Sequence, residues 1–399
     1  MYQGKNIKGV IDIGTNSCRL FIAELENTSE GKKIKRELVK DVEIVKLGEG
    51  VNKTHNLNPN AIKRTLDCLK KYKEKASSYG VENIRAFATS AVRDAENREV
   101  FLQEVSKLGI KIECISGKTE ATLNFLGNSL VFKDKILVVD IGGGSTEFTL
   151  GKDKTIDFIQ SINIGAVRAT EKFFSDNDYS EEKEEKIEKC KAWIRKNLEI
   201  LKTIKDRDFK LIGVAGTATT QISVRDKMEI YDSSKVHMAT LTLDELKENL
   251  SLFLSKNFEE RKKIVGLEEK RADVIIAGTL ILLTILEELN QEQIIISESD
   301  NLSGAITREE ETMSERLEWI MEAYESFRKS SGRRLIAGNI FDYFMQDFRG
   351  EMADAYDIAT KEEIREDIKT LADIIYQEED KHKREFLVEI LVNLVKMLG

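Results

Sequence analysis

At 399 residues the chain is longer than one hydrophobic core usually serves, so two or three domains are expected. Its 62 Lys and Arg against 71 Asp and Glu leave a net charge of −9, which argues against a general nucleic-acid binder held by a basic field. Four scattered cysteines form no CxxC pair, three histidines form no cluster, and no apolar run approaches a membrane span; the expectation is a cytoplasmic protein with reduced thiols and no membrane partner.

Residues 7–47 alternate apolar and polar side chains in three segments, IKGVIDIG, CRLFIAEL and ELVKDVEIVKL, which predicts three strands of an antiparallel or mixed sheet. A helix is expected from Asn58, with the only proline, Pro59, at its first position. Its apolar face is Ile62, Leu66, Leu69 and Ala76, and Gly80 closes it. Then IRAFATSA reads as a strand, 96–108 as a helix, IKIECIS as a strand and 119–130 as a helix, a βββαβα unit.

The order then begins again. KILVVDIG, STEFTLG and KTIDFIQSINIG are three strands, followed by helices near 166–174 and 180–204. FKLIGVAG is a strand leading into a helix over 217–225, ADVIIAGTLILLTILEEL is a long apolar helix, and QIIISES a buried strand. VIDIGTNSCRLFIA (10–23) lies over VVDIGGGSTEFTLG (138–151) at a constant offset of 140 − 12 = 128, and the coinciding Asp, Gly and Ser sit at the same strand-to-turn corner. An internal duplication is the better reading. From 312 onward, Leu317, Ile320, Tyr324 and Phe327, then Phe341, Phe344 and Phe348, then Leu387, Leu391, Leu394 and Leu398 repeat at helical spacing. That region is expected to be an all-helical appendage burying its stripes against itself, the main body or a second subunit.

The two corners carry the chemistry. Asp12 precedes Gly14, Thr15, Asn16 and Ser17; Asp140 precedes Gly142, Gly143, Gly144, Ser145 and Thr146. Consecutive glycines weaken a strand, but they let backbone N–H groups approach an anion with no Cβ in the way. An aspartate is an acceptor suited to a hydrated divalent cation. A third small-residue turn, GVAGTATT (213–220), joins a strand to a helix and places Gly216 and Thr217 where an anion or a nucleotide edge would bind. SGKTE at 116–120 imitates the end of a Walker A loop, yet the required earlier glycine is Ile112, and no GxGxxG occurs.

DIGTNSCRL, ATSAVRDAEN, ISGKTEA, DIGGGSTE, INIGAVRATE, GVAGTATT and RADVIIAG follow one another in an order that resembles the exopolyphosphatase/guanosine pentaphosphate phosphatase family, over about residues 7–310. The resemblance implies an α/β fold of two ribonuclease-H-like (actin-like ATPase) domains around a cleft. Domain I would cover 1–125, with 300–311 returning to it, domain II 126–299, and a helical region 312–399. It also implies hydrolysis of a terminal phosphoanhydride with Mg²⁺, with Mn²⁺ as a substitute and a monovalent cation left open. By the same resemblance Glu120 is the general base, and Asp140 and Glu147 hold the metal with Asp12 facing them. Gly14 to Ser17 and Gly142 to Thr146 form phosphate loops, and Arg19 and Arg93 are the cationic phosphate contacts. Thr119 stands where the family's motif has its first acid. Long members carry a helical His-Asp domain, which is not recognisable here because 312–399 holds only His382.

Bland readings stand beside these. Arg19 and Arg93 could be ion-pair partners, Arg168 and Arg271 structural cations, and Cys18 packing rather than a nucleophile, since no histidine accompanies it. The expected substrate is inorganic polyphosphate or guanosine pentaphosphate, acted on by a homodimer with no specific nucleic-acid partner. A non-catalytic phosphate or nucleotide sensor and a sugar-kinase-like phosphotransferase are the competing classes. Glu120 argues against the first, and the lack of an evident acid for a sugar hydroxyl against the second.

Overall fold

In a computed structural model of the protein the described residues are 6–28, 31–82, 84–174, 183–205, 207–308, 384 and 388. The chain divides into two compact units, Met1–Arg308 and Glu309–Gly399. The stripes expected over 312–399 lie outside the described residues.

The first unit is mixed α/β and is built on two sheets. Strands β1 (Ile7–Ile13), β2 (Ser17–Thr28), β3 (Gly31–Ile44), β4 (Arg85–Ala88) and β5 (Lys111–Cys114) form one sheet in the order β3-β2-β1-β4-β5. β1 and β2 are antiparallel, as are β2 and β3, whereas β4 lies parallel to β1 and β5 parallel to β4. The second sheet comprises β6 (Ile136–Ile141), β7 (Thr146–Lys152), β8 (Thr155–Ile162), β9 (Lys210–Val214), β10 (Thr240–Thr242) and β11 (Gln293–Ile296), in the order β10-β11-β9-β6-β7-β8. Read from β8 to β11, this order repeats the first sheet, with β10 added as an antiparallel edge. The duplicated sequence thus corresponds to a duplicated topology. β10 was not foreseen, because three residues are too few for an alternation to register.

Each element has a local cause. Pro59 opens the Pro59–Ser78 helix behind Asn58, whose side chain accepts from the Asn60 N–H, and Gly80 with φ +82 follows its end. All six residues of β6 are buried, as suits a central strand covered on both faces. The Ile275–Leu289 helix is buried nearly all round, which explains its lack of a polar face. Two expectations need correction. IRAFATSA is not one strand: pairing ends at Ala88, and Ser90–Arg93 turns into a short helix. The helix expected to run to 204 ends at Asn197, and Leu198–Thr203 tightens into a 3₁₀ segment.

The Gly117–Ser129 helix lies between the two sheets. Leu123 joins the core formed by Val10, Phe21 and Phe87 with Leu302 and Ile306. Two residues on, Phe125 joins the core formed by Ile136, Val138, Ile212 and Val214 of the second sheet. Burying each such side chain is worth about 1.5–3 kcal/mol, so the helix is anchored on both sides. The Asn301–Thr307 helix packs against it and against the first sheet. Among the described residues no helix is long and apolar enough to cross a membrane.

Candidate active site

Both Asp-x-Gly corners are hairpin turns of one geometry. Gly14 N–H donates to the Ser17 carbonyl at 2.9 Å, and Gly142 N–H donates to the Ser145 carbonyl at 3.0 Å. In register, Asp12 lies opposite Arg19 on β2, and Asp140 lies opposite Glu147 on β7. Arg19 and Glu147 therefore occupy equivalent positions of the duplication. The corners also touch: a Cβ on Gly144 would come within 2.4 Å of Ser90 Oγ and 3.2 Å of Thr15 Oγ1, so only glycine permits this approach. Behind the second corner, the Gly142 carbonyl accepts from Ala166 N–H at 2.9 Å and the Gly143 carbonyl from Val167 N–H at 2.9 Å.

Among the described residues one acidic group could hold a metal ion: Glu120, Asp140 and Glu147, each buried, with one carboxylate oxygen apiece all within 4.8 Å of one another. Glu120 stands in the first turn of the Gly117–Ser129 helix, whose N-cap Ser116 accepts from the Thr119 N–H. Thr119 thus stays in the cap, its hydroxyl 2.9 Å from Ser116 Oγ. Arg93 Nη1 donates to Glu120 Oε2 at 3.1 Å and to the Ile115 carbonyl at 2.8 Å, fixing the carboxylate from the first sheet's side. Asn124 Nδ2 donates to Asp140 Oδ2 at 2.7 Å, and Ser161 Oγ donates to Glu147 Oε1 at 2.7 Å.

These carboxylates resist ionising together. Burial pushes Asp140 up to about 6, against the pull of Arg19 and Asn124. Burial, then the charge of Asp140, pushes Glu147 up to about 7. Glu120 is held well above the usual carboxylate range by burial and then by Glu147, with Arg93 opposing. A divalent cation would offset this repulsion. Every buried polar side-chain atom without a partner among the described residues is an oxygen, including Asp12 Oδ1, Asn124 Oδ1 and Glu147 Oε2. Hard oxygen donors of this kind, with no thiolate or imidazole among them, fit Mg²⁺ or Mn²⁺ better than Zn²⁺.

The remaining residues singled out from the sequence fall into two groups. Arg19 is committed to two carboxylates and an amide: Nε donates to Asp12 Oδ2 at 2.9 Å, Nη1 to Asp300 Oδ2 at 2.6 Å, and Nη2 to Asn301 Oδ1 at 2.7 Å. Asp12 is therefore ion-paired rather than part of the acidic trio. The Thr15 and Asn16 carbonyls accept from Gly48, Val45 and Lys46 N–H groups, which packs that corner onto the segment after β3. Thr146 is fully buried and its hydroxyl donates to the Ile164 carbonyl at 2.6 Å. Thr217 Oγ1 donates to the Ile141 carbonyl at 3.0 Å, tying the third turn to the second corner. There the chain passes through Ala215 at φ +62, a conformation uncommon for a residue with a Cβ, and Gly216 lies directly against the Arg271 guanidinium. Polar contacts bridge the residues that flank the corners: Lys46 to Asp273 at 2.5 Å, Arg168 to Asp94 at 2.5 Å, and Glu171 to Gly50 N–H at 2.8 Å and Asn52 at 2.7 Å. The sequence reading did not find Asn124, Ser161, Asp300 and Asn301. Only the duplicated register, which sets Arg19 opposite Asp12, could have pointed toward the last two.

Residues 27–312 match the Ppx/GppA phosphatase family. The chain is 53% identical over 312 residues to a bifunctional 3-dehydroquinate synthase/phosphatase of Fusobacterium nucleatum, covering 76% of this chain and 47% of that protein. It thus spans about half the length of that relative. It is 32% identical to exopolyphosphatase 2 of Mycobacterium tuberculosis, covering 74% of this chain and 95% of that one. The crystal structure of the Aquifex aeolicus Ppx/GppA family member superposes with a TM-score of 0.62 at 32% identity, covering 75% of this chain and 97% of that one.

Proposed function

Because this chain belongs to the Ppx/GppA phosphatase family, whose members hydrolyse phosphoanhydrides, we propose that it releases terminal orthophosphate from inorganic polyphosphate in a reaction dependent on Mg²⁺. The observation that carries this reading is the buried trio Glu120, Asp140 and Glu147, beside two touching glycine corners. Asp140 and Glu147 would hold the cation, with Asp12 on the opposite hairpin. Bound there, the ion supplies charge neutralisation for the phosphoryl oxygens.

This chain's own residues supply the rest. Glu120 accepts a proton from water as the water oxygen forms its bond to the terminal phosphorus; the bridging P–O bond breaks, and the electron pair leaves with the shortened chain. Arg93 orients Glu120 and presents further guanidinium N–H groups beside it, where phosphoryl charge develops. Carbonyls of the second corner are already bonded behind the loop, and the Gly142 N–H is spent on the Ser145 carbonyl, so the amides beyond Gly142 would be the donors for an anion.

The deciding experiment measures orthophosphate release from polyphosphate of defined length and from guanosine pentaphosphate, with Mg²⁺ and with EDTA. Release from polyphosphate that stops with EDTA and returns with Mg²⁺ is expected. Release confined to guanosine pentaphosphate would transfer the reading to the nucleotide, whose base would then use the Ala215–Thr217 junction. Binding of either without release would make the chain a sensor.

A further inference from the structure

We infer that Asn124 is a positioning residue for the metal site, acting through Asp140; the inference rests on the reading of Asp140 and Glu147 as metal-holding carboxylates. Asn124 is one helical turn beyond Glu120, on the same face of the Gly117–Ser129 helix, and is 1% exposed. Its Nδ2 donates to Asp140 Oδ2 at 2.7 Å, while its Oδ1 has no partner. An orphaned buried acceptor is costly. Asn128, one turn further on, also leaves its Oδ1 unpartnered. Its amide, however, goes to two backbone carbonyls, whereas that of Asn124 goes to a carboxylate of the acidic trio. Here the donor end is fixed on the aspartate and the acceptor end is left within a site where Glu147 Oε2 and Asp12 Oδ1 are also orphaned. An amide set this way holds one Asp140 oxygen and steers the other, and it offers an acceptor to water carried by a cation.

The placement joins two parts of the site that come from different elements. Glu120 belongs to the helix and Asp140 to β6, 20 positions further along the chain. Asn124 is the direct side-chain link between that helix and that aspartate. It sets the spacing of base and metal carboxylate without touching substrate itself. Sequence reading passes it over, since an asparagine inside a helix otherwise reads as a poor helix former.

The test is Mn²⁺ binding to the metal-free protein by calorimetry, without substrate, for the parent, Asn124→Leu, Asn124→Ala and, as reference, Asp140→Asn. Outer partners of metal ligands typically contribute about 10–100-fold in metal affinity. Asn124→Leu is expected to weaken Mn²⁺ binding by about 10–100-fold, and Asn124→Ala less, because a water can enter and donate to Asp140. The Mg²⁺ concentration for half-maximal activity should rise in parallel, while KM for polyphosphate at saturating Mg²⁺ stays within about three-fold of the parent. Asn124→Ala retains a good helix former, so it gives the answer where the leucine variant fails to fold. Parental Mn²⁺ affinity in a folded Asn124 variant overturns the inference. If Asp140→Asn also binds Mn²⁺ like the parent, the metal reading itself fails; if Asp140→Asn loses binding and the Asn124 variants keep it, only the role of Asn124 does.

Discussion

The β1–β2 and β6–β7 hairpins share a turn, a register and an aspartate, yet they have opposite electrostatic characters. In the first, the residue across from the aspartate is Arg19, a cation shared by Asp12 and Asp300 inside the protein. In the second it is Glu147, and the charge is doubled. One exchanged position in a duplicated element thus separates an internally ion-paired corner from one with two facing carboxylates. The lesson concerns where like charge can be placed: the first hairpin carries its counter-charge with it, and the second faces two buried carboxylates toward each other, an arrangement that could hold a cation.

The largest effect should come from Glu120, which faces the second hairpin's two carboxylates. Glu120→Gln removes the base while keeping its size, and kcat should fall about 10²–10⁴-fold, with polyphosphate affinity by direct binding within a few-fold. A near-parental kcat would remove Glu120 from the mechanism.

Breaking the first hairpin should cost stability instead. Arg19→Gln strands Asp12 and Asp300 without their cation, and losing one partner of a buried pair typically costs about 3–5 kcal/mol. Urea denaturation measures this. An unchanged midpoint would mean the network is not what neutralises that corner.

The opposite sign is expected at the equivalent position. Glu147→Gln relieves repulsion with Asp140, so the metal-free protein should gain about 1–3 kcal/mol at pH 8 even as it loses Mg²⁺-dependent turnover. A drop in metal-free Tm would contradict the comparison.

Titration gives a smaller, continuous version of this. Asp140 and Glu147 sit at about 6 and about 7 in the folded protein, above their ordinary values of 3.8 and 4.5. Between those limits the folded state holds protons that the unfolded chain has released, so metal-free stability falls as pH rises through the window and levels off above it. Saturating Mg²⁺ favours the ionised carboxylates and should flatten or reverse the slope. Tm measured from pH 5 to 8, with Mg²⁺ and with EDTA, checks the sign. Smallest of all, Lys46→Gln removes a partly exposed pair with Asp273 beside the first corner and should change stability by about 0.2–1 kcal/mol, with KM moved less than about five-fold.

How much of this was legible depended on the range of each signal. The corners could be read because glycine runs after an apolar strand are a local anomaly, and the duplication because it preserved Asp, Gly and Ser at a fixed offset. Glu120 was found through a motif. The partners that give these residues their character were not legible. Arg19 meets Asp300 across 281 positions, and Asn124 meets Asp140 through a helix-to-strand contact that no periodicity encodes. Thr146 shows another limit: a hydroxyl in a glycine-rich corner suggests a ligand group, and the sequence does not reveal that this hydroxyl donates to the Ile164 carbonyl.

The Gly117–Ser129 helix, keyed by Leu123 into one core and by Phe125 into the other, has a consequence for how the molecule can open. A rigid rod gripped by two bodies cannot follow both when they part. Glu120 is tied to Arg93 on one side, and Asn124 to Asp140 on the other. A shift of the helix relative to either sheet would strain one of those two ties, so the distance between Glu120 and Asp140 is set by how the helix is seated in both cores at once.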